Sequence, residues 1–143
     1  NRGADANWRW PYYLGNMVEV AARTAAGIRW ELTTRPAHKV RDYRSDFAVR
    51  LGHVDAKYQG TYGALVATWK AEENPDWYFL VGAIDRGINP VVRLLGAVTG
   101  AEIVRRGRQP SRLPRMGTER DNYVIDPPWE ISASGLLIDM GVD

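Results

Sequence analysis

Residues 46–58 have the sequence DFAVRLGHVDAKY, and this stretch decides the fold of the chain. Apolar and polar residues alternate over 47–51 and again over 54–58, which is typical of strands with one buried face. The spacer around Gly52 is short, so the two runs predict an antiparallel hairpin. The chemistry that the chain can perform depends on which polar side chains this hairpin brings together.

Three charged residues of the hairpin form the candidate site. Asp55 and Lys57 are two positions apart in one strand and therefore project to the same side of it. A chain reversal after residue 50 returns Asp46 to within about one rung of Asp55, where opposed Cβ atoms are ~5 Å apart. Two carboxylates at that separation repel each other unless a cation lies between them. Mg²⁺, or Mn²⁺ in its place, is the hard cation that such oxygen ligands favour.

Two further observations extend the site. Glu19 lies in a helical pattern and adds a third oxygen ligand if that helix packs beside the hairpin. Lys57 is one of only 3 lysines in a chain with 16 arginines, and a lysine can lose its proton where an arginine cannot. Next to a metal and a phosphate, Lys57 would orient water and stabilise negative charge. The alternative is an ordinary cross-strand ion pair on a solvated face.

Outward from the hairpin, the chain is predicted to be a single α/β domain with a central mixed sheet flanked by helices. Its other elements are a helix from Pro11 to Gly27, a strand over 28–32, a helix from Tyr62 that ends before Asn74-Pro75, strands over 77–84 and 91–98, a helix over 99–107 and a strand over 123–125. The core covers about 11–98, followed by a basic loop over 105–120 and a short strand with an acidic tail over 121–143. The order is helix, three strands, helix, strand, strand, helix, strand.

Composition limits the classes of function. A length of 143 residues fits one domain, no apolar run approaches the ~20 residues of a membrane span, and no cysteine is present for a disulfide or a thiolate site. We therefore expect an intracellular protein without a membrane partner. The net charge of +2 averages over a basic loop and an acidic tail.

The basic loop is the candidate nucleic-acid contact. Its glycines and prolines predict an exposed loop, and guanidinium groups match phosphate oxygens well. The alternative is a solvated loop folded against the acidic tail. Gln59 follows Lys57 at strand spacing and either lines the same groove or is an ordinary solvated residue. The six loop arginines are Arg105, Arg106, Arg108, Arg112, Arg115 and Arg120.

The element order over residues 11–84, with Asp46 opening the second strand and Asp55-Ala56-Lys57 on the third, resembles the PD-(D/E)XK nuclease superfamily. The resemblance extends to small phage and prokaryotic members and implies a restriction-endonuclease-like core. It implies a metal-dependent phosphodiesterase acting on DNA in the cytoplasm of a prokaryotic cell or a phage-infected host. Asp46, Asp55 and the Ala56 carbonyl would bind the metal, and Glu19 would be the acid that some members carry on the first helix. Lys57 would be the catalytic lysine, and pairing of two copies would let the protein cut both strands.

The chain departs from that family pattern at two positions. Ser45 stands where the motif has proline, and Asp55 stands where glutamate is more common. Asp42 is an alternative first acid, although the spacing from Asp46 fits a tight hairpin better. Two other functions remain open. One is a non-catalytic module that binds nucleic acid or assembles with partners, and the other is a structural protein whose acids and lysine are surface residues without a chemical role.

Overall fold

The computed structural model describes residues 2–29, 43–60, 63–109 and 122–137, with side chains from residue 14 onward. Within those ranges the chain folds as an α/β structure with helices flanking a mixed sheet. No helix there is both long and apolar enough to span a membrane. The elements are α1 (Arg2–Ala25), β1 (Phe47–Val49), β2 (Gly52–Gly60), β3 (Gly63–Ala67), α2 (Thr68–Glu73), β4 (Tyr78–Asp85), β5 (Val91–Thr99), α3 (Gly100–Arg106), β6 (Asn122–Ile125) and α4 (Ala133–Leu137).

Among the described residues, the sheet is open and has six strands. Five of them lie in the order β5-β4-β2-β3-β6, and β1 pairs with the beginning of β2. β2 and β4 are parallel, because β3 returns the chain towards the starting end of β2 before α2 leads to β4, and the remaining pairs are antiparallel. β2 therefore lies in the interior of the sheet, where its side chains can be covered on both faces.

Helices cover the sheet on both faces. On the first face, Ala22 of α1 and Leu136 of α4 pack against Val54 and Leu80. On the second face, Ala71 of α2 and Ile103 of α3 pack with Phe79 and Val81. Successive residues of a strand alternate between faces, and Asp55 lies beside Phe79 in the β2–β4 register. Asp55 therefore belongs to the second face, under α2, among side chains that are almost entirely apolar.

The decisive hairpin is confirmed. β1 and β2 pair antiparallel with Phe47 opposite Val54 and Val49 opposite Gly52, and the turn is at residues 50–51. The strands predicted over 77–84, 91–98 and 123–125 are also present. The helix predicted after Thr99 begins at Gly100, where the Thr99 hydroxyl accepts a hydrogen bond from the Glu102 backbone N–H at 3.3 Å.

Two sequence predictions are wrong in part, and a third is only partly covered by the described residues. The helix predicted from residue 62 to just before Asn74 begins only at Thr68, as α2, and ends at Glu73; Gly63–Ala67 instead form β3, in which Ala64 and Val66 alternate as buried residues. α1 begins at Arg2 and continues through Pro11 instead of starting there. Ile28 and Arg29 lie in no strand, and the rest of the predicted 28–32 strand is outside the described residues. The short helix α4 was not predicted.

Candidate active site

The hairpin brings Asp46 and Asp55 to the same level of the sheet. The backbone N–H of Asp46 donates to the carbonyl of Val54 at 3.1 Å, next to the Phe47–Val54 pair of the β1–β2 register. Asp46 therefore lies beside residues 54–56 of β2, within about one rung of Asp55, as the sequence predicts. The carboxylate oxygen Oδ2 of Asp46 then accepts a hydrogen bond of 2.7 Å from the backbone N–H of Ala56. This contact fixes the first acid at the edge of β2.

Asp55 is the charged residue at the centre of the site, and only 1% of its surface is exposed. Its Oδ2 atom lies 3.0 Å from the Lys57 ammonium and 3.1 Å from the Lys70 ammonium. Burial alone would raise the pKa of Asp55, but the two positive charges outweigh burial and hold that pKa below its ordinary value. Asp55 is thus an ionised carboxylate inside an apolar layer, neutralised by two lysines.

Asp46 has the opposite electrostatic character. Burial raises its pKa to about 7, and the charge of Asp55 adds to the rise, whereas Lys57 and the Ala56 N–H lower it. Glu19 also raises this pKa. The pKa of Asp46 therefore lies near neutral pH, mainly because its carboxylate is buried and in part because Asp55 is negatively charged.

Glu19 approaches Asp46 from the first face of the sheet, where α1 packs. It is buried, and its Oε2 lies 3.2 Å from Nε of Arg23, one helical turn later. Nη2 of Arg23 in turn donates to the backbone carbonyl of Asp46. The pair of Glu19 and Arg23 therefore ties α1 to the start of the hairpin, while Asp55 and Lys57 lie on the opposite face.

Part of this donor set fits a divalent metal. Both oxygens of Asp55 are buried; Oδ2 is held by the Lys57 and Lys70 ammonium groups, whereas Oδ1 meets no hydrogen-bond donor among the described residues. Such an oxygen, opposite a second acid whose pKa is raised, is suited to a hard cation. The arrangement is nevertheless incomplete, since no group of three or more His, Cys, Asp or Glu side chains in the described parts of the chain is placed to hold a metal.

The described arginines of the predicted basic loop are engaged by acids, and Arg105 and Arg106 lie in the last turn of α3 rather than in a loop. Arg105 and Arg106 both pair with Glu102, and Arg106 also donates to the backbone carbonyls of Asp126 and Pro128. Arg108 forms an ion pair with Asp126, with Nε and Oδ2 2.7 Å apart. This segment is thus folded against the beginning of the acidic tail. Arg112, Arg115 and Arg120, like Asp42, lie outside the described residues.

Gln59 lies on the same face of β2 as Asp55 and Lys57 and is exposed. Sequence reasoning missed Lys70 and Arg23. The sequence feature that could have identified Lys70 is the scarcity of lysine, since two of the 3 lysines contact Asp55. The spacing of four residues from Glu19 was the signal for Arg23.

Comparisons of the chain with protein-family models, with curated proteins and with solved structures found no match. Its function must therefore be inferred from the site itself.

Proposed function

We propose that the protein is a metal-dependent nuclease that hydrolyses phosphodiester bonds in DNA. One observation carries the proposal: the carboxylate of Asp46 lies beside Asp55 at the start of the hairpin, and Lys57 interacts with both acids. A pair of carboxylates with a lysine is the minimum set for binding a hard cation and contacting a phosphate. The resemblance to the PD-(D/E)XK superfamily, carried by the same residues, supports the same activity.

Each residue has a distinct role in this proposal. Asp46 and Asp55 would hold Mg²⁺ or Mn²⁺, with the carbonyl of Ala56 as an additional ligand and Glu19 acting on Asp46 through its charge. The bound ion supplies an activated water and neutralises charge on the phosphate. Lys57, of whose side chain 24% is exposed, can reach outward and stabilise a phosphate oxygen. Burial of Asp55 under α2 excludes water from one side of the carboxylate.

Contacts with the nucleic acid backbone are assigned to exposed cations. The side chains of Arg105 and Arg108 are 69% and 63% exposed, so their guanidinium groups can exchange a surface carboxylate for a phosphate at small cost. Arg106 is more buried and holds two backbone carbonyls, which suits it to a structural role. A homodimer acting in the cytoplasm, each copy cutting one strand, completes the proposal.

The decisive experiment is a cleavage assay on circular duplex, linear duplex and single-stranded DNA with Mg²⁺ or Mn²⁺. We expect cleavage of at least one form, and we expect Lys57→Met to reduce it by about 100-fold or more. This variant should fold, since Lys70 still pairs with Asp55. Asp46→Asn, which keeps an acceptor for the Ala56 N–H, should have an equally large effect.

Asp85→Asn is the matched control. Asp85 is an exposed acid at the end of β4, paired with Arg93 at 2.9 Å and remote from the hairpin acids in the sequence. Its amide variant should cleave at the wild-type rate. Full activity of Lys57→Met, or no cleavage of any DNA form by the wild type, would contradict the proposed function.

A second candidate function is a non-catalytic module that binds nucleic acid. It is favoured by the observation that two lysines already neutralise Asp55 without a metal. This function predicts DNA binding that weakens steeply with salt and is unchanged by Mg²⁺ or by Asp46→Asn. Binding measured by fluorescence anisotropy, with and without Mg²⁺, separates the two candidates.

A further inference from the structure

Lys70 is the residue of the site that the proposed function leaves without a role. It belongs to α2, whereas Asp55 and Lys57 belong to β2, so its contact with Asp55 depends on how the helix packs on the sheet. Its side chain is 12% exposed, and its ammonium lies 6.0 Å from the ring centre of Trp77. The Lys70 side chain is therefore largely shielded from water and lies against an acid.

The charge balance at Asp55 is unusual. Two ammonium groups, Lys57 and Lys70, lie about equally close to a single buried carboxylate oxygen. Two positive charges therefore lie against this one carboxylate oxygen, in surroundings that screen them poorly, and Lys57 also interacts with Asp46. A divalent cation placed on the same carboxylate would be repelled by both ammonium groups, and the repulsion falls only if one of them moves away.

A phosphate group offers the displaced ammonium another partner. Lysine forms strong charge-assisted hydrogen bonds with phosphate oxygens, and its long stem lets the ammonium move without moving the backbone. A nucleic acid that reaches the site could thus take one positive charge from Asp55 and leave room for the metal. Binding of metal and binding of phosphate would then favour each other by the same factor.

We propose that Lys70 is the counter-ion of Asp55 in the metal-free protein and that it competes with the divalent cation for this carboxylate. A phosphate of the nucleic acid relieves this competition. The inference rests on the proposed function, because it takes Asp55 as a metal ligand. It adds that the free protein binds metal weakly and that substrate loads the site. Lys70 thereby acts as a substrate-sensing cation, distinct from the catalytic role assigned to Lys57.

The test measures metal binding rather than activity. Mn²⁺ is titrated into the full chain, and free Mn²⁺ is followed by electron paramagnetic resonance, for the wild type, Lys70→Met and Arg93→Met. We expect Lys70→Met to bind Mn²⁺ about tenfold tighter or more, since it removes a positive charge beside the ligand. Arg93→Met removes a cation from an exposed ion pair and should bind like the wild type.

A second measurement uses the unaltered chain and does not depend on a variant folding. The affinity for a labelled phosphorothioate DNA, in single-stranded and duplex form, is measured by fluorescence anisotropy with and without Mn²⁺. We expect Mn²⁺ to tighten DNA binding at least about fivefold in the wild type, within the usual range of coupling between sites. The gain should be smaller in Lys70→Met, in which no Lys70 ammonium has to be displaced.

The outcomes separate the two proposals. Equal or weaker Mn²⁺ binding by a folded Lys70→Met, or no effect of Mn²⁺ on DNA binding by the wild type, overturns the role of Lys70. If DNA is still cleaved under those conditions, the proposed function stands. Absence of Mn²⁺ binding in both proteins, together with absence of cleavage, overturns both proposals.

Discussion

The Oδ2 atom of Asp46 accepts a hydrogen bond of 2.7 Å from the backbone N–H of Ala56, ten residues later in the chain. The N–H of Ala56 lies on the edge of β2 that pairs with β1, but β1 begins only at Phe47 and has no backbone group left to receive it. The side chain of Asp46 takes the place of the missing carbonyl and continues the ladder by one bond. The first acid of the site is therefore held by the sheet itself.

Asp46→Asn is predicted to change how stability depends on pH. Burial and Asp55 raise the pKa of Asp46 from 3.8 to about 7, so the folded chain binds this proton more tightly than the unfolded chain. Its contribution to stability is complete below pH 3.8 and is lost as the pH rises through about 7. Asparagine keeps the hydrogen bond from Ala56 and carries no charge at any pH.

We therefore expect the free energy of unfolding of Asp46→Asn to rise relative to the wild type between about pH 4 and about pH 7, by on the order of 1–3 kcal/mol, and to be level above that range. Urea denaturation at a series of pH values measures the difference. A difference that is constant over this range would mean that Asp46 titrates normally in the folded chain. Asp85→Asn, at an exposed site, should show no such trend.

The two lysines at Asp55 predict strongly non-additive mutations. Removing either Lys57 or Lys70 leaves one ammonium within about 3 Å of Oδ2, so each methionine variant should lose only about 1 kcal/mol. Removing both leaves a buried carboxylate with no counter-ion, which costs about 3–5 kcal/mol. We expect the double variant to lose at least ~1 kcal/mol more than the sum of the single variants.

Chemical denaturation of the wild type, both single variants and the double variant gives this coupling energy. The excess loss should shrink at about pH 4, because an unpaired buried carboxylate can then take up a proton. Additive losses in the free energy of unfolding at neutral pH would show that the two lysines do not jointly neutralise Asp55.

The hairpin and its acids could be predicted from the sequence because both depend on local pattern. Alternation over 47–51 and 54–58 determines which side chains share a face, and a short turn determines the register of Asp46 against Asp55. The same alternation places Lys57, two residues after Asp55 in β2, on the face of Asp55. These relationships involve only about a dozen adjacent residues.

Contacts made by distant segments could not be predicted in this way. Lys70 reaches Asp55 only because β2 and β4 are parallel and α2 crosses the face between them. Residues 62–69 also match a helical spacing. Residues 63–67 nevertheless form a strand, because pairing with β2 and β6 buries Ala64 and Val66. The pairing of Arg106 with the 126–128 backbone depends on a chain reversal of the same long-range kind.

Gly82 is predicted to be needed for the packing of α1 on the sheet. A Cβ atom at this position of β4 would lie 2.7 Å from Cγ1 of Val18, which is fully buried in α1. Gly82→Ala should therefore destabilise the chain by about 1–3 kcal/mol, the usual cost of overpacking a core. Gly87→Ala is the matched control, since a Cβ atom there meets nothing within 4 Å. Thermal unfolding of the two variants tests this close approach, and equal melting temperatures would contradict it.

Arg106 and its neighbour Arg105 provide a final comparison. Arg106 is 24% exposed, donates to the carbonyls of Asp126 and Pro128, and pairs with Glu102. Arg106→Met should cost about 1–3 kcal/mol, because it leaves partly buried acceptors without their donor. Arg105 forms its ion pair with Glu102 and is 69% exposed, so Arg105→Met should leave the free energy of unfolding almost unchanged.

The same two variants separate support of the fold from contact with nucleic acid. In DNA binding at low salt, Arg105→Met should weaken affinity and reduce the salt dependence by about one phosphate contact, with unfolding unchanged. Arg106→Met should act mainly through stability, so its affinity should recover at temperatures where the variant remains folded. If Arg105→Met leaves both affinity and salt dependence unaltered, the phosphate contacts must lie elsewhere on the chain, because Arg105 is the most exposed cation of this helix.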